Sequence, residues 1–225
     1  MRFEANQFLS RVSATEGCLS PELFCTQQSY GEHRSELLEV VGRWKSERRV
    51  AVGSAFTLLF ENRFTVWLQI QEELHMGGAS RAVELDRLLT QYNPLIPEPG
   101  ELRASLFLDC RDKEKMLRYL SDYSLSRLGL ELAIGGGVLS AEPLFEAEEY
   151  LDAVTFIRFR PTNSVAFAPN AQLRWGGTCG SGIELGSRTE RSLLVDLQTE
   201  RVSKLNEHAK RGFGSVHSAR SSHAG

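Results

Sequence analysis

The sequence predicts an α+β protein: a single domain with a mostly antiparallel sheet and helices packed on it. Three observations carry that expectation. Two short apolar runs, Val50–Val52 and Phe56–Phe60, flank a Gly53-Ser54 turn and read as a hairpin. Leu102–Leu108 and Leu128–Ile134 alternate as strands, and a Gly135-Gly136-Gly137 turn follows the second. Between these runs the apolar period changes to three and four, the spacing of an amphipathic helix. Interleaved helices with hairpin-like strand connections favour an antiparallel sheet over a doubly wound parallel one.

Residues 1–20 are weakly patterned and are expected to be a partly ordered N-terminal extension; Pro21 opens a short helical turn. Leu37, Val40, Val41 and Trp44 form one stripe of a helix over 31–49, with Arg43, Lys45, Arg48 and Arg49 near its C-terminal end. After the hairpin, Glu61-Asn62-Arg63 leads into a helix ending at Met76, where Gly77-Gly78 stops it. Ser80 caps a further helix that ends at Tyr92-Asn93-Pro94, because the residue before proline avoids helical dihedrals. Residues 112–121 read as a helix, 142–149 as an acidic loop or short helix, and Val154–Phe159 as a strand. Ile183–Leu185 and 188–197 read as a last strand and helix. The domain is expected to span 21–202. From 203 to 225 serine, glycine, histidine and basic residues dominate, and such a segment buries too little surface to offset its ordering entropy.

Composition bounds the function classes. Of the 225 residues, 41% are hydrophobic and 24% charged, and the net charge is −3. A concentrated basic surface for nucleic acid is not indicated. No apolar run approaches the roughly 20 residues that cross a bilayer, and the N-terminus has no apolar signal core, so a soluble, cytoplasmic protein is expected. The four cysteines, at 18, 25, 110 and 179, lack zinc or thioredoxin-like spacing and are expected as reduced thiols.

Four blocks occur in order: Glu47–Gly53, Leu58–Arg63, Val66–Glu72 and Tyr92–Pro97. Together they resemble the bacterial domain of unknown function 3501 family over about residues 21–200. The family brings no activity to carry over, and no motif in the sequence implies a cofactor. The resemblance implies a redox or oxidative-stress setting, because members are encoded beside rubrerythrin-like proteins and iron–sulfur oxidoreductases. A redox protein of that kind is the partner it implies.

Several residues invite chemistry. Glu61, Asn62 and Arg63 stand where an apolar strand meets a helix, a rigid base on which functional groups gather. Glu61 and Glu72 are separated by roughly 16 Å along a helix, too far to share one metal. Glu72-Glu73-Leu74-His75 has the Glu-x-x-His spacing of di-iron bundles, but no second such motif and no four long helices accompany it, so Glu72 and His75 are the weak metal candidates. Gln71 shares a helix face with Trp67, Ile70 and Leu74; it either braces a loop or lines a pocket. Cys179, in a glycine-rich stretch near Arg174 and Arg188, is either incidental or a redox-sensitive thiol.

Two functional readings follow. In the first, the protein is a non-catalytic accessory of a redox system that binds a partner. In the second, it is an enzyme or small-molecule-binding protein with a concave site at the junction of Glu61-Asn62-Arg63 and Tyr92-Asn93. There Glu61 would be the acid or base, Arg63 would hold an anionic group, and Asn62, Gln71, Tyr92 and Asn93 would contact the ligand.

Overall fold

A computed structural model describes residues 5–14, 17–77, 81–110, 112–122, 124–145, 152–165, 170–176 and 181–197. The expected tail at 203–225 and Cys179 lie outside the described residues.

The elements run α1 (Ala5–Ala14), α2 (Gln27–Glu47), β1 (Arg49–Val52), β2 (Phe56–Phe60), α3 (Arg63–Met76), α4 (Arg81–Tyr92) and β3 (Leu102–Leu108). They continue with α5 (Lys113–Asp122), α6 (Leu125–Leu128), β4 (Glu131–Ile134), β5 (Gly137–Pro143), β6 (Val154–Val165), β7 (Gln172–Trp175) and β8 (Ser181–Glu184), and end in α7, residues 187–197. The eight strands form one sheet in the order β1-β2-β3-β6-β5-β4-β7-β8, with every neighbouring pair antiparallel. The expected fold class is therefore the observed one.

Sequence and structure differ in places that have physical reasons. Leu128 ends a helical turn rather than starting a strand: Ser124 caps the turn and Gly129 closes it in the left-handed region at φ +52°. The chain then turns back between Ile134 and Gly137 through Gly135 and Gly136, at φ +58° and +82°. Two consecutive positive φ angles suit a tight hairpin, because they match the twist of the flanking strands. The returning strand β5 includes Glu142 and Pro143, which composition alone assigns to an acidic loop.

The sheet is strongly curled. Inward-facing Val52, Leu58, Leu106, Ile157, Leu139 and Leu173 come from six different strands and share one apolar core. A Cβ at Gly53, in the first hairpin, would stand only 3.9 Å from Nε1 of Trp175 on β7, so distant members of the strand order approach each other. Helix α7 spans this seam. Its Leu193 is fully buried in the core, and a Cβ at Gly135 would lie 3.1 Å from Leu194. Arg48, 1% exposed just before β1, donates to Ser192 Oγ at 2.5 Å and forms an ion pair with Asp196.

The other sheet face carries the helical layer. Helices α1 to α4 share a second core around Trp67, which is completely buried. Each large apolar side chain buried here contributes roughly 1.5–3 kcal/mol. Strand β3 is buried on both sides, which is why its outward residues Arg103 and Ser105 are polar yet almost inaccessible. Buried polar groups of this kind persist only with hydrogen-bond partners.

Removing one member of a buried ion pair leaves an uncompensated charge. Arg48→Ala is expected to lower stability by about 3–5 kcal/mol in urea denaturation. Arg188→Ala, which removes the exposed contact with Glu47, is expected to stay within about 0.5 kcal/mol of the parent.

Candidate functional site

The junction between β2 and α3 is built by three consecutive polar residues with three different tasks. Glu61 is 6% exposed, and its two carboxylate oxygens accept from Ser105 Oγ at 2.6 Å and from the Thr65 hydroxyl. Its own N–H donates to the carbonyl of Arg103 at 2.8 Å. Asn62 begins the helix. Its Oδ1 accepts from the N–H groups of Phe64 and Thr65, both at 3.0 Å, while its N–H donates to Thr65 Oγ1 at 2.9 Å. That reciprocal pair is a capping box, which satisfies donors that a helix start leaves open. Arg63 reaches across to the last turn of α1 and the segment after it, donating to the carbonyls of Val12 at 2.7 Å, Cys18 at 3.3 Å and Gly17. Burial lowers the Arg63 guanidinium, with Cys18 opposing that shift.

Electrostatics bind the junction to its neighbours. Burial pushes the Lys45 ammonium down, and the Glu61 carboxylate opposes that shift. Burial likewise lowers Arg48, with Asp196 and Glu61 opposing. The Glu61 charge thus acts on two cations, Lys45 in the last turn of α2 and Arg48 in the connection to β1.

The remaining singled-out residues brace the helical layer. Fully buried Gln71 accepts from Cys25 N–H at 2.9 Å and donates to the Cys25 carbonyl at 3.5 Å. Asn93 does the same for Leu19, accepting at 2.8 Å and donating at 3.0 Å. Tyr92 donates its hydroxyl to Glu73 at 2.5 Å, and burial followed by that bond pushes its pKa up to about 12.

Glu72 and His75 stand on α3 facing α2. Both Glu72 oxygens are engaged by Arg34, at 2.8 and 2.7 Å, and Oε1 also accepts from Tyr30 at 2.6 Å. Arg34 holds the Glu72 carboxyl below the usual range; burial opposes this and the Tyr30 bond reinforces it. His75 packs edge-on against Tyr30 with ring centroids 5.5 Å apart. Its Nδ1 is buried and has no hydrogen-bond partner among the described residues. Among the described residues no group of three or more His, Cys, Asp or Glu side chains could hold a metal ion.

A cleft of about 1100 Å³ opens beside the junction. Asn62, Arg63 and Asn93 line it; Glu61, Gln71 and Tyr92 do not. The structure thus gathers half of the expected ligand-contacting set and places the other half inside the bracing. Sequence reasoning passed over the opposite wall, which carries Arg103, Arg158, Leu144 and Phe145. Arg103 and Arg158 are direct cross-strand neighbours on β3 and β6, and Arg158 in turn faces Glu142 on β5. Arg103 is engaged at all three guanidinium nitrogens: it bonds Glu101 at 2.5 Å, Glu98 at 2.8 Å and the carbonyls of Pro94 at 2.7 Å and Ile96 at 2.8 Å. Like charges directly opposed across a sheet are unfavourable without compensation, which Glu98, Glu101 and Glu142 supply here.

The fold and site define an α+β protein whose curled antiparallel sheet carries a helical layer with a cleft at its edge. This chain belongs to the family described as protein of unknown function (DUF3501), whose model matches residues 19–176. It is similar to the crystal structure, at 1.90 Å resolution, of a novel protein of unknown function from Burkholderia pseudomallei. That likeness has a TM-score of 0.65 and 22% identity, and covers 80% of this chain and 98% of the other, which shows a shared fold. No curated protein matches. Among the described residues no helix is long and apolar enough to cross a membrane.

Two changes test the bracing. Gln71→Leu keeps the volume but strands the Cys25 N–H, and is expected to cost about 1–3 kcal/mol in urea denaturation. The Glu72 carboxyl is depressed in the folded state, so its contribution is present above its ordinary pKa of 4.5 and is lost as pH falls through the folded value. Glu72→Gln is expected to cost about 1–2 kcal/mol at pH 7, discounted for the exposure of Arg34. Below the folded pKa the denaturation midpoints of variant and parent converge.

Proposed function

We propose that this protein acts by binding rather than by catalysis, as an accessory component that docks a partner of a redox or oxidative-stress system. One observation carries the non-catalytic part. Each of Glu61, Asn62, Arg63, Gln71, Tyr92 and Asn93 is committed to at least one internal hydrogen bond that holds one element to another or caps a helix. An acid or base must reach a substrate proton, and Glu61 is buried away from the cleft with both oxygens engaged. The redox setting comes from the family resemblance. On this reading, untagged protein purified from its native host is colourless, carries no stoichiometric metal by elemental analysis, and co-purifies with a rubrerythrin-like or iron–sulfur protein. A stoichiometric metal, a flavin spectrum, or a pull-down at native expression without such a partner would contradict it.

The cleft favours a second reading, a small-molecule-binding protein. Its volume lies just above the roughly 300–1,000 Å³ common for ligand sites, and its walls mix apolar side chains with a few directed polar groups. Here Asn62 and Asn93 would shape the site while Arg63 positions the α1 side of its rim.

A further inference from the structure

We propose that the cleft binds an amphipathic anion: a carboxylate or phosphate head group on an apolar body, with the head at Arg158 and the body against Phe64, Leu144 and Phe145. This inference rests on the cleft being a ligand site and names what the site takes.

The two arginines of the sheet wall, Arg103 and Arg158, differ in how far their donors are spent. Arg103 spends donors at all three guanidinium nitrogens, on two carboxylates and two carbonyls. Arg158 differs. Its Nε donates to Glu142 at 2.6 Å, and among the described residues its two terminal nitrogens have no partner. The side chain is 28% exposed and lines the cleft. A guanidinium anchored through Nε keeps its outer donors in a fixed plane, the geometry that receives a carboxylate or phosphate through paired bonds.

Across the cleft, Asn62 spends Oδ1 on the helix start, which fixes the amide orientation. Its Nδ2 has no partner among the described residues. The uncommitted groups at Arg158 and Asn62 are therefore both donors, and an acceptor-rich ligand complements them. The sheet patch is itself charge-balanced: Arg103, Arg158 and Arg160 pair with Glu98, Glu101 and Glu142. Recognition would then come from directed donors and not from a long-range positive field, which accords with the net charge of −3.

The apolar part has its own surface. Phe145, two residues beyond β5, is 46% exposed and stacks edge-on against Phe156 with centroids 6.1 Å apart. Phe64, 4.9 Å from Trp44 by ring centroids, faces the same cleft from α3. Aromatic walls of this kind favour a ligand body that leaves water.

The test is calorimetric titration of the full chain with octanoate, octyl phosphate and octanol. At least one anion is expected to bind about tenfold or more tighter than octanol. Whichever anion binds more tightly identifies the head group. Arg158→Gln should bring the anion's affinity down to that of octanol, and Arg158→Lys should recover part of it. Phe145→Ala should weaken anion and alcohol together. Circular dichroism of each variant establishes folding, and Glu142 keeps Arg160 as a partner when Arg158 is replaced. Octanol binding as tightly as both anions, or an unchanged affinity in Arg158→Gln, would overturn the anion assignment while leaving the cleft a ligand site. Absence of binding by all three at millimolar concentration would overturn the cleft reading itself.

Discussion

The buried carboxylate of Glu61 is the constraint on which the arrangement of layers depends. It leaves the end of β2, takes one hydroxyl from β3 and one from the first turn of α3, and lies within the field of Lys45 and Arg48. A carboxylate away from water is costly unless its lone pairs and charge are met. Meeting them requires β2, β3, α2 and α3 to adopt one mutual placement. Helix α3 then fixes the rest of its layer, through Gln71 to the segment before α2, through Glu72 to α2, and through Glu73 to the end of α4. The sequence Glu61-Asn62-Arg63 thus acts as a hinge pin: one residue faces the sheet, one starts the helix and one ties in the N-terminal segment.

The second organising feature is the curl of the sheet. A single strongly curled sheet can enclose a core with its own inward side chains only if the seam between its ends is covered. Helix α7 does this, with Leu193 in the core and the Arg48 ion pair at the rim. Arg48 also donates to the Phe60 carbonyl at 3.2 Å, at the foot of the junction. Closure of the seam and placement of the helical layer therefore share one guanidinium. The cleft lies at the edge where these two constructions meet, bordered by α3, the turn after α4, β6 and Asp196 of α7.

Much of the fold was legible because periodicity reports burial. β2 and β3, the stop of α3 at Gly77 and the break at Asn93-Pro94 follow from alternation, capping and proline sterics. What stayed hidden depends on partners distant in sequence. Strand β5 begins at a glycine and ends at proline, so only pairing with β4 and β6 marks it as a strand. Helix α1 shows its role only through Leu9 and Val12, which are buried against the helical layer. The candidate site divides in the same way. The residue types at 61–63, 71 and 92–93 mark polar groups near an apolar core, a pattern that bracing and binding share. Their spacing does not say which side chains turn inward. Arg158 escaped notice because an arginine inside a strand reads as a solvent-facing position; its place beside Arg103 and Glu142 follows from register alone.

Glu61 clamps the sheet to the helices through Ser105 and Thr65. Comparing the unfolding free energy of Glu61→Ala with that of the parent by urea denaturation tests this most directly. Losing the carboxylate strands the buried Ser105 hydroxyl, leaves the Thr65 hydroxyl only its bonds to Asn62, and leaves Lys45 and Arg48 less compensated, so a loss of about 3–5 kcal/mol is expected. A Glu61→Ala protein with the parent's stability would contradict the clamp and return Glu61 to the list of groups held in place for chemistry.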